Sequence, residues 1–182
     1  MALLEILEAP HPILSKKARP VAPDEFGAAL ERLVGDMAES MYAAPGVGLA
    51  APQVGDSRRI LVADPGDEDE ANDGKRRRGA EFVAMINPTI LQHEGALTWE
   101  ESCLSVPEFY VDVKRFKRVL IAWQDVNGAP QERWYQDYPA IVIQHELDHL
   151  EGVTLLDRAS RLKRTRYIAR KKKVGAVAEL PA

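Results

Sequence analysis

Two histidines stand four residues apart in Gln144-His145-Glu146-Leu147-Asp148-His149, with a glutamate directly after the first. On a helix, that spacing puts His145 and His149 one turn apart on one face, a pair of imidazoles suited to gripping a transition-metal ion. Glu146, next to a ligand, would stand where it can take the proton of a water bound to that ion. A hydrolytic metal site usually draws three ligands from the protein and keeps one position open. The third ligand has to come from elsewhere in the chain.

The H-E-x-x-H spacing is shared with metalloproteases, whose third ligand lies downstream. Here the downstream half offers none. Gly152 sits where one protease pattern has its glycine, but Leu155 occupies the position of that pattern's third histidine. After Glu151 the sole glutamate is Glu179, three residues from the end. Upstream, His11 lies between two prolines and His93 lies in Leu-Gln-His-Glu-Gly, both most simply surface residues. Cys103 is different: it closes a strand-like run and precedes Pro107, and a thiolate is a strong ligand for divalent transition metals. A free cysteine, like a single buried histidine, is by itself more often a packing residue. Joined together, Cys103, His145 and His149 form a Cys-His-His set with a fourth position left for water. Such a set suits zinc, iron, nickel or cobalt.

The elements that must position these residues follow from periodicity. Pro139 fits the first turn of a helix through Ala-Ile-Val-Ile-Gln-His-Glu-Leu-Asp-His-Leu-Glu that ends at Gly152. Its Ala140–Ile143 stretch is apolar nearly all round, so this helix belongs inside the protein. Phe26, Leu30, Leu33, Val34, Met37 and Met41 keep three-to-four spacing and mark an amphipathic helix over 24–41, stopped by Pro45-Gly46. Residues 46–55 read as a loop, and 59–64 as a short apolar run. Residues 66–79 read as a charged surface loop between two strands. The runs 81–90, closed by Asn-Pro, and 95–106 read as strands, and two more flank Asn127-Gly128 as a hairpin. A last, basic helix is expected over about 160–173. The layout predicts an α+β fold: one domain over 1–182, with mostly antiparallel strands packed around one buried metal-binding helix.

Composition limits the classes. At 182 residues, with 46% hydrophobic and 29% charged, the chain can bury a core without cross-links. No stretch approaches the ~20 apolar residues of a membrane span. The first twenty residues lack a secretory pattern, and one cysteine cannot make an internal disulfide, so a cytoplasmic setting and no membrane are expected. The net charge of −4 is uneven. Nine Lys/Arg and no acid lie between Arg158 and Lys173, leaving 15 basic and 28 acidic residues elsewhere. That stretch is either a solvated helix face or a surface for a polyanion such as RNA.

Three separated motifs, Gly46-Val47-Gly48-Leu49-Ala50-Ala51-Pro52-Gln53, Glu101-Ser102-Cys103-Leu104-Ser105 and the histidine motif 144–152, give the chain a resemblance to the peptide deformylase family over about residues 5–165. The resemblance implies a metallohydrolase acting on a linear amide. It would remove the N-formyl group from the formyl-methionine of new polypeptides and release formate, with a metal-bound water as nucleophile and Glu146 as general base and acid. It implies Fe(II) as the ion, with Zn(II), Ni(II) or Co(II) able to substitute. It assigns oxyanion stabilisation to the Gln53 amide and the Leu104 backbone N–H, and substrate binding to the Gly48 region. Val47 and Ile141 are candidate walls of the methionine pocket, Ile141 because it lies four before His145. Asp148 is a candidate partner for Arg115. The ribosome is the polyanion that the basic C-terminal stretch would meet. Ser102 departs from the glycine common in the family and bears on access to the pocket.

Two other readings compete. A metallopeptidase would share the metal and Glu146, but it lacks its downstream ligand here. A non-catalytic metal-stabilised binding module requires a closed four-ligand site, and the sequence offers three good ligands.

Overall fold

The structure, a computed structural model, describes residues 2–68, 76–77 and 79–178. Helix α1 (Ala28–Ala43) buries Leu30, Val34, Met37 and Met41 along the expected stripe. It begins later than the spacing suggests because Pro23–Glu25 form a separate 3-10 turn, where the Glu25 carboxylate accepts from Ala22 N and from Arg19. The segment expected as a loop after Gly46 holds a short strand, β1 (Gly48–Ala50), followed by a 3-10 turn over Ala51–Val54. Small residues permit this tight strand-to-turn switch, and local spacing alone does not reveal it.

Strand β2 (Ile60–Ala63) pairs antiparallel with β1 and is buried at every residue. Within the expected charged loop, β3 (Asp67–Glu68) pairs antiparallel with β4 (Arg76–Arg77), so part of that segment forms a small ladder. Residues 69–75 and 78 of it lie outside the described residues. Strand β5 (Val83–Glu94) runs on past Asn87-Pro88, where a stop was expected. The ladder shifts register between Ile86 and Thr89, and Asn87 takes a positive φ of 54°. The Asn87 side chain accepts from Val21 N and donates to Val21 O and Gln124, so the irregularity absorbs a proline that has no N–H to give.

The run expected as one strand over 95–106 is instead one whole strand, a turn and the start of another. Strand β6 (Leu97–Cys103) turns at Leu104-Ser105 into β7 (Val106–Arg115), and the two pair antiparallel. Strands β8 (Arg118–Gln124) and β9 (Pro130–Gln136) form the expected hairpin, with Gly128 at φ 82°. The main sheet has the order β1-β2-β5-β8-β9 and is antiparallel throughout.

Helix α2 (Tyr138–Leu150) lies against one face of that sheet. Its Ala140, Val142, Ile143, Leu147 and Leu150 pack with Leu61, Ala63, Met85, Val119 and Ile121. Helix α1 covers the other face through Ile60, Val62 and Ile86. Alternate residues of β2 thus serve opposite cores, which is why Ile-Leu-Val-Ala reads as an unbroken apolar run. Gly152 ends the helical segment at φ 73°, and a Cβ there would lie 2.9 Å from the backbone of Ser15 and Lys16. Helices α3 (Leu155–Arg158) and α4 (Arg161–Ala178) pack on the β6–β7 pair through Leu155, Leu156 and Tyr167. The α+β expectation therefore holds, with α2 as its buried helix. None of the described helices is long and apolar enough to cross a membrane.

Candidate metal centre and active site

Helix α2 presents His145 and His149 on one face, and the end of β6 brings Cys103 to them across 42 residues of chain. The ligand atoms of Cys103, His145 and His149 all lie within 4.8 Å of one another. Cys103 Sγ is 3.2 Å from His149 Nε2. One ion placed between these atoms can reach all three at the about 2.0–2.3 Å of metal–nitrogen and metal–sulfur bonds. Among the described residues no fourth histidine, cysteine or carboxylate joins the group. His11 and His93 stay on the surface, the first capping a 3-10 turn and the second stacked 3.7 Å from the Phe116 ring. Glu179 lies outside the described residues.

The electrostatics fit a cation. Burial would raise the Cys103 thiol, but the imidazoles of His149 and His145 outweigh it and hold the thiol well below its usual range. Burial would lower His145, yet the Cys103 thiolate and the Glu101 carboxylate push it well above the ordinary histidine value. A buried thiolate and carboxylate around two imidazoles make a donor set that calls for positive charge. One divalent ion satisfies it.

Glu101, to which the sequence pattern assigns no role, is the residue the structure adds to the site. Only 5% exposed, it accepts from Arg115 Nε at 2.7 Å and Nη2 at 2.9 Å, and its Oε2 lies 2.8 Å from His145 Nδ1. With Nδ1–H donated to Glu101, His145 has Nε2 available for a metal ion. The Arg115 guanidinium and the His145 contact hold Glu101 down at about 2 against the opposing pull of burial. Arg115 also donates to Asp148 Oδ2 at 2.7 Å, and Arg158 binds the same carboxylate, so the expected Arg115–Asp148 pair is present inside a larger network. A signal for Glu101 was available: it lies two before Cys103 on a strand and so shares its face.

Gln53 is 2% exposed. Its Oε1 accepts from Ala50 N at 2.8 Å, which turns Nε2 toward Cys103 Sγ at 3.7 Å and Ser105 Oγ at 3.1 Å. The N-terminal segment ties the two motifs together, with Leu7 N donating to Gln53 O and Ala9 N to Ser105 O. Leu104 stands at the turn after Cys103.

Glu146 is 4% exposed, and its Oε2 has no hydrogen-bond partner among the described residues. Burial lifts its carboxyl to about 7, against the attraction of both imidazoles. Gly48 makes this placement possible: a Cβ there would sit 2.3 Å from Glu146 Oε1. Val47, Gly48, Gln53, Leu104 and Ile141 all line one cavity of about 440 Å³ together with Cys103, His145 and Glu146. Ser102 is exposed on its wall, and Trp99, Tyr110 and Tyr138 add aromatic surface to its lining.

A buried Cys-His-His cluster, an orphaned carboxyl poised near neutrality and an adjoining cavity define a metal-dependent hydrolase. The sequence model of the polypeptide deformylase family matches residues 3–165. Peptide deformylase from Desulfotalea psychrophila is 42% identical over 174 residues, covering 96% of both chains. That from Erythrobacter litoralis is 42% identical, covering 96% of this chain and 98% of its own. Crystal structures of peptide deformylases from Ehrlichia chaffeensis and Legionella pneumophila superpose with TM-scores of 0.87 and 0.82, at 33% and 36% identity, over 98% and 99% of this chain. Each of those two chains is covered completely. This chain belongs to the peptide deformylase family. Its activity is removal of the N-formyl group from nascent polypeptides.

Proposed function

We propose that residues 1–182 work as one catalytic domain in the cytoplasm, with Cys103, His145 and His149 as ligands of one Fe(II) ion that Zn(II), Ni(II) or Co(II) can replace. The observation that carries this assignment is the convergence of the three ligand atoms within 4.8 Å beside a buried, unpartnered Glu146. The bound ion supplies Lewis acidity, which makes water a nucleophile at neutral pH and polarises the formyl oxygen.

The chain's own residues do the rest. Glu146 takes a proton from the attacking water and delivers it to the departing amine. A carboxyl near 7 serves both directions. As charge develops on the formyl oxygen, Gln53 Nε2 and the Leu104 backbone N–H donate to it, each worth about 3 kcal/mol of barrier. The Gln53 amide is held by Ala50 N in advance, so little reorganisation is needed. Glu101 keeps His145 oriented. The substrate main chain pairs with the β1 edge at Gly48 like an added strand, and Val47 and Ile141 flank the methionine side chain.

Release of formate from formyl-Met-Ala-Ser, without internal cleavage of unblocked peptides, tests the reaction. Glu146→Gln should retain the metal and lose turnover, and unchanged turnover would remove Glu146 from its role. Anaerobic purification with elemental analysis tests for iron. A second interaction, docking of the basic α4 on the ribosome, is supported by its excess of Lys and Arg. Because Tyr167 of α4 is packed in the core beside β7, the test is charge reversal rather than truncation. Arg161→Glu with Lys172→Glu should weaken co-sedimentation with ribosomes and leave formyl-Met-Ala-Ser hydrolysis intact.

A further inference from the structure

A second hollow, of about 360 Å³, lies between β7 and α4, and it shares Glu108 and Tyr110 with the active-site cavity. These two exposed residues form a ridge with the catalytic cavity on one side and the hollow on the other. The floor is aromatic: Phe109 and Tyr167 meet edge to face, with ring centres 5.2 Å apart. The rim is basic. Lys163, Arg166 and Arg170 recur at helical spacing on the face of α4 that carries Tyr167. Lys163 sits 5.3 Å over the Phe109 ring and donates to Tyr110 O, while Arg170 lies 5.6 Å over the Tyr167 ring. Of the three cations, Arg170 is paired, with Glu108 at 3.3 Å. Arg166 has no ion-pair or hydrogen-bond partner among the described residues. Three cations against one carboxylate leave the rim with a net positive charge.

We propose that this groove binds the part of the formylated chain that extends beyond the active-site cavity, and that it favours acidic side chains there. The inference rests on the deformylase reading, since the occupant is the continuation of the same substrate. Two features favour that occupant. The groove adjoins the catalytic cavity across a single ridge, so an extended peptide leaving the site crosses Glu108 and Tyr110 into it at about 3.3 Å per residue. Its charge complements carboxylates, while the aromatic floor takes the apolar stems of the same residues.

The test compares formyl-Met-Ala-Ser with longer peptides that continue through glycine into three Glu, three Gln or three Lys residues. The Glu-tailed peptide should show a KM about five- to tenfold below the Gln-tailed one at low salt, as two exposed ion pairs would give. Its kcat should be equal, and the advantage should shrink in high salt. Arg166→Glu should abolish the preference and Arg166→Gln reduce it, both leaving formyl-Met-Ala-Ser turnover unchanged. Equal KM for Glu and Gln tails in the parent overturns the proposal. So does an Arg166→Glu variant that keeps the full peptide preference, because the preference would then arise outside this groove, whatever α4 does at the ribosome. A parent that releases no formate even from formyl-Met-Ala-Ser fails the underlying reading, a result separable from loss of tail preference alone.

Discussion

Alanine at position 48 is the sharpest probe of how the fold places the carboxyl proposed as the catalytic base, that of Glu146. The added Cβ would lie 2.3 Å from Glu146 Oε1 and 2.8 Å from both Cδ and Cγ, where ordinary contact begins at 3.4 Å. The carboxyl group must therefore withdraw by about 1 Å, and its stem with it, from a site that is 4% exposed. A misplacement of about 1 Å in a catalytic group costs about 10²-fold, or ~2.7 kcal/mol of barrier. The fold should tolerate the change, because the ~0.4–1 kcal/mol gained by restricting the unfolded chain offsets part of the cost of moving one side chain. The expected result is a kcat about 100-fold lower, with unchanged metal content by elemental analysis and a melting temperature within a few degrees of the parent. Glu146→Asp, which shortens the stem, should cost less in the Gly48→Ala background than in the parent, since the two positions touch and are coupled. A metal-loaded Gly48→Ala protein with kcat within threefold of the parent would refute the reasoning.

Other expectations concern stability and metal retention. Arg115→Met leaves Glu101 and Asp148 without their buried cation, and breaking such a pair costs about 3–5 kcal/mol. The melting temperature should fall by about 6–20 °C for a chain of this size, read by calorimetry. Glu101→Gln removes the carboxylate that orients His145, and metal affinity in a chelator competition should drop about 10- to 100-fold. Chelation should abolish formate release, and anaerobic Fe(II) should restore it. Cys103→Ser should remain folded but bind the ion more weakly. Burial pushes the Tyr167 phenol up to about 12, with the Glu8 carboxylate adding to it. Its folded value lies above the unfolded one, so its contribution to stability is full below about pH 10 and is lost as pH rises through about 12. Tyr167→Phe should flatten that alkaline loss in denaturant titrations. It should match or exceed the parent at neutral pH, because the Tyr167 hydroxyl is buried without a partner among the described residues.

Much of the candidate site was legible because its signals are local. His145 and His149 share a face by helical periodicity, Pro139 and Gly152 bracket their helix, and Asn127-Gly128 announces a hairpin, all within a few residues of chain. Where a decision depended on distant partners, local pattern failed. The Asn87-Pro88 pair looked like a strand end, yet Val21 and Gln124 supply the hydrogen bonds that carry β5 through it. The Leu104-Ser105 turn was hidden inside a strand-like run because β6 pairing with β7 stabilises it, with no Gly, Pro, Asn or Asp to mark it.

By itself, the sequence determined the types of the candidate ligands, the helical register of the two histidines and the presence of a carboxylate next to one of them, since each depends on bonds and torsions a few residues long. Only the tertiary structure decided that the Cys103 sulfur meets the two imidazoles, that Glu101 orients one of them under Arg115, and that Glu146 rests where Gly48 has no side chain. Those contacts join segments 14 to 98 residues apart. Their energies come from desolvation and packing, which exist only once the two faces of the sheet are covered.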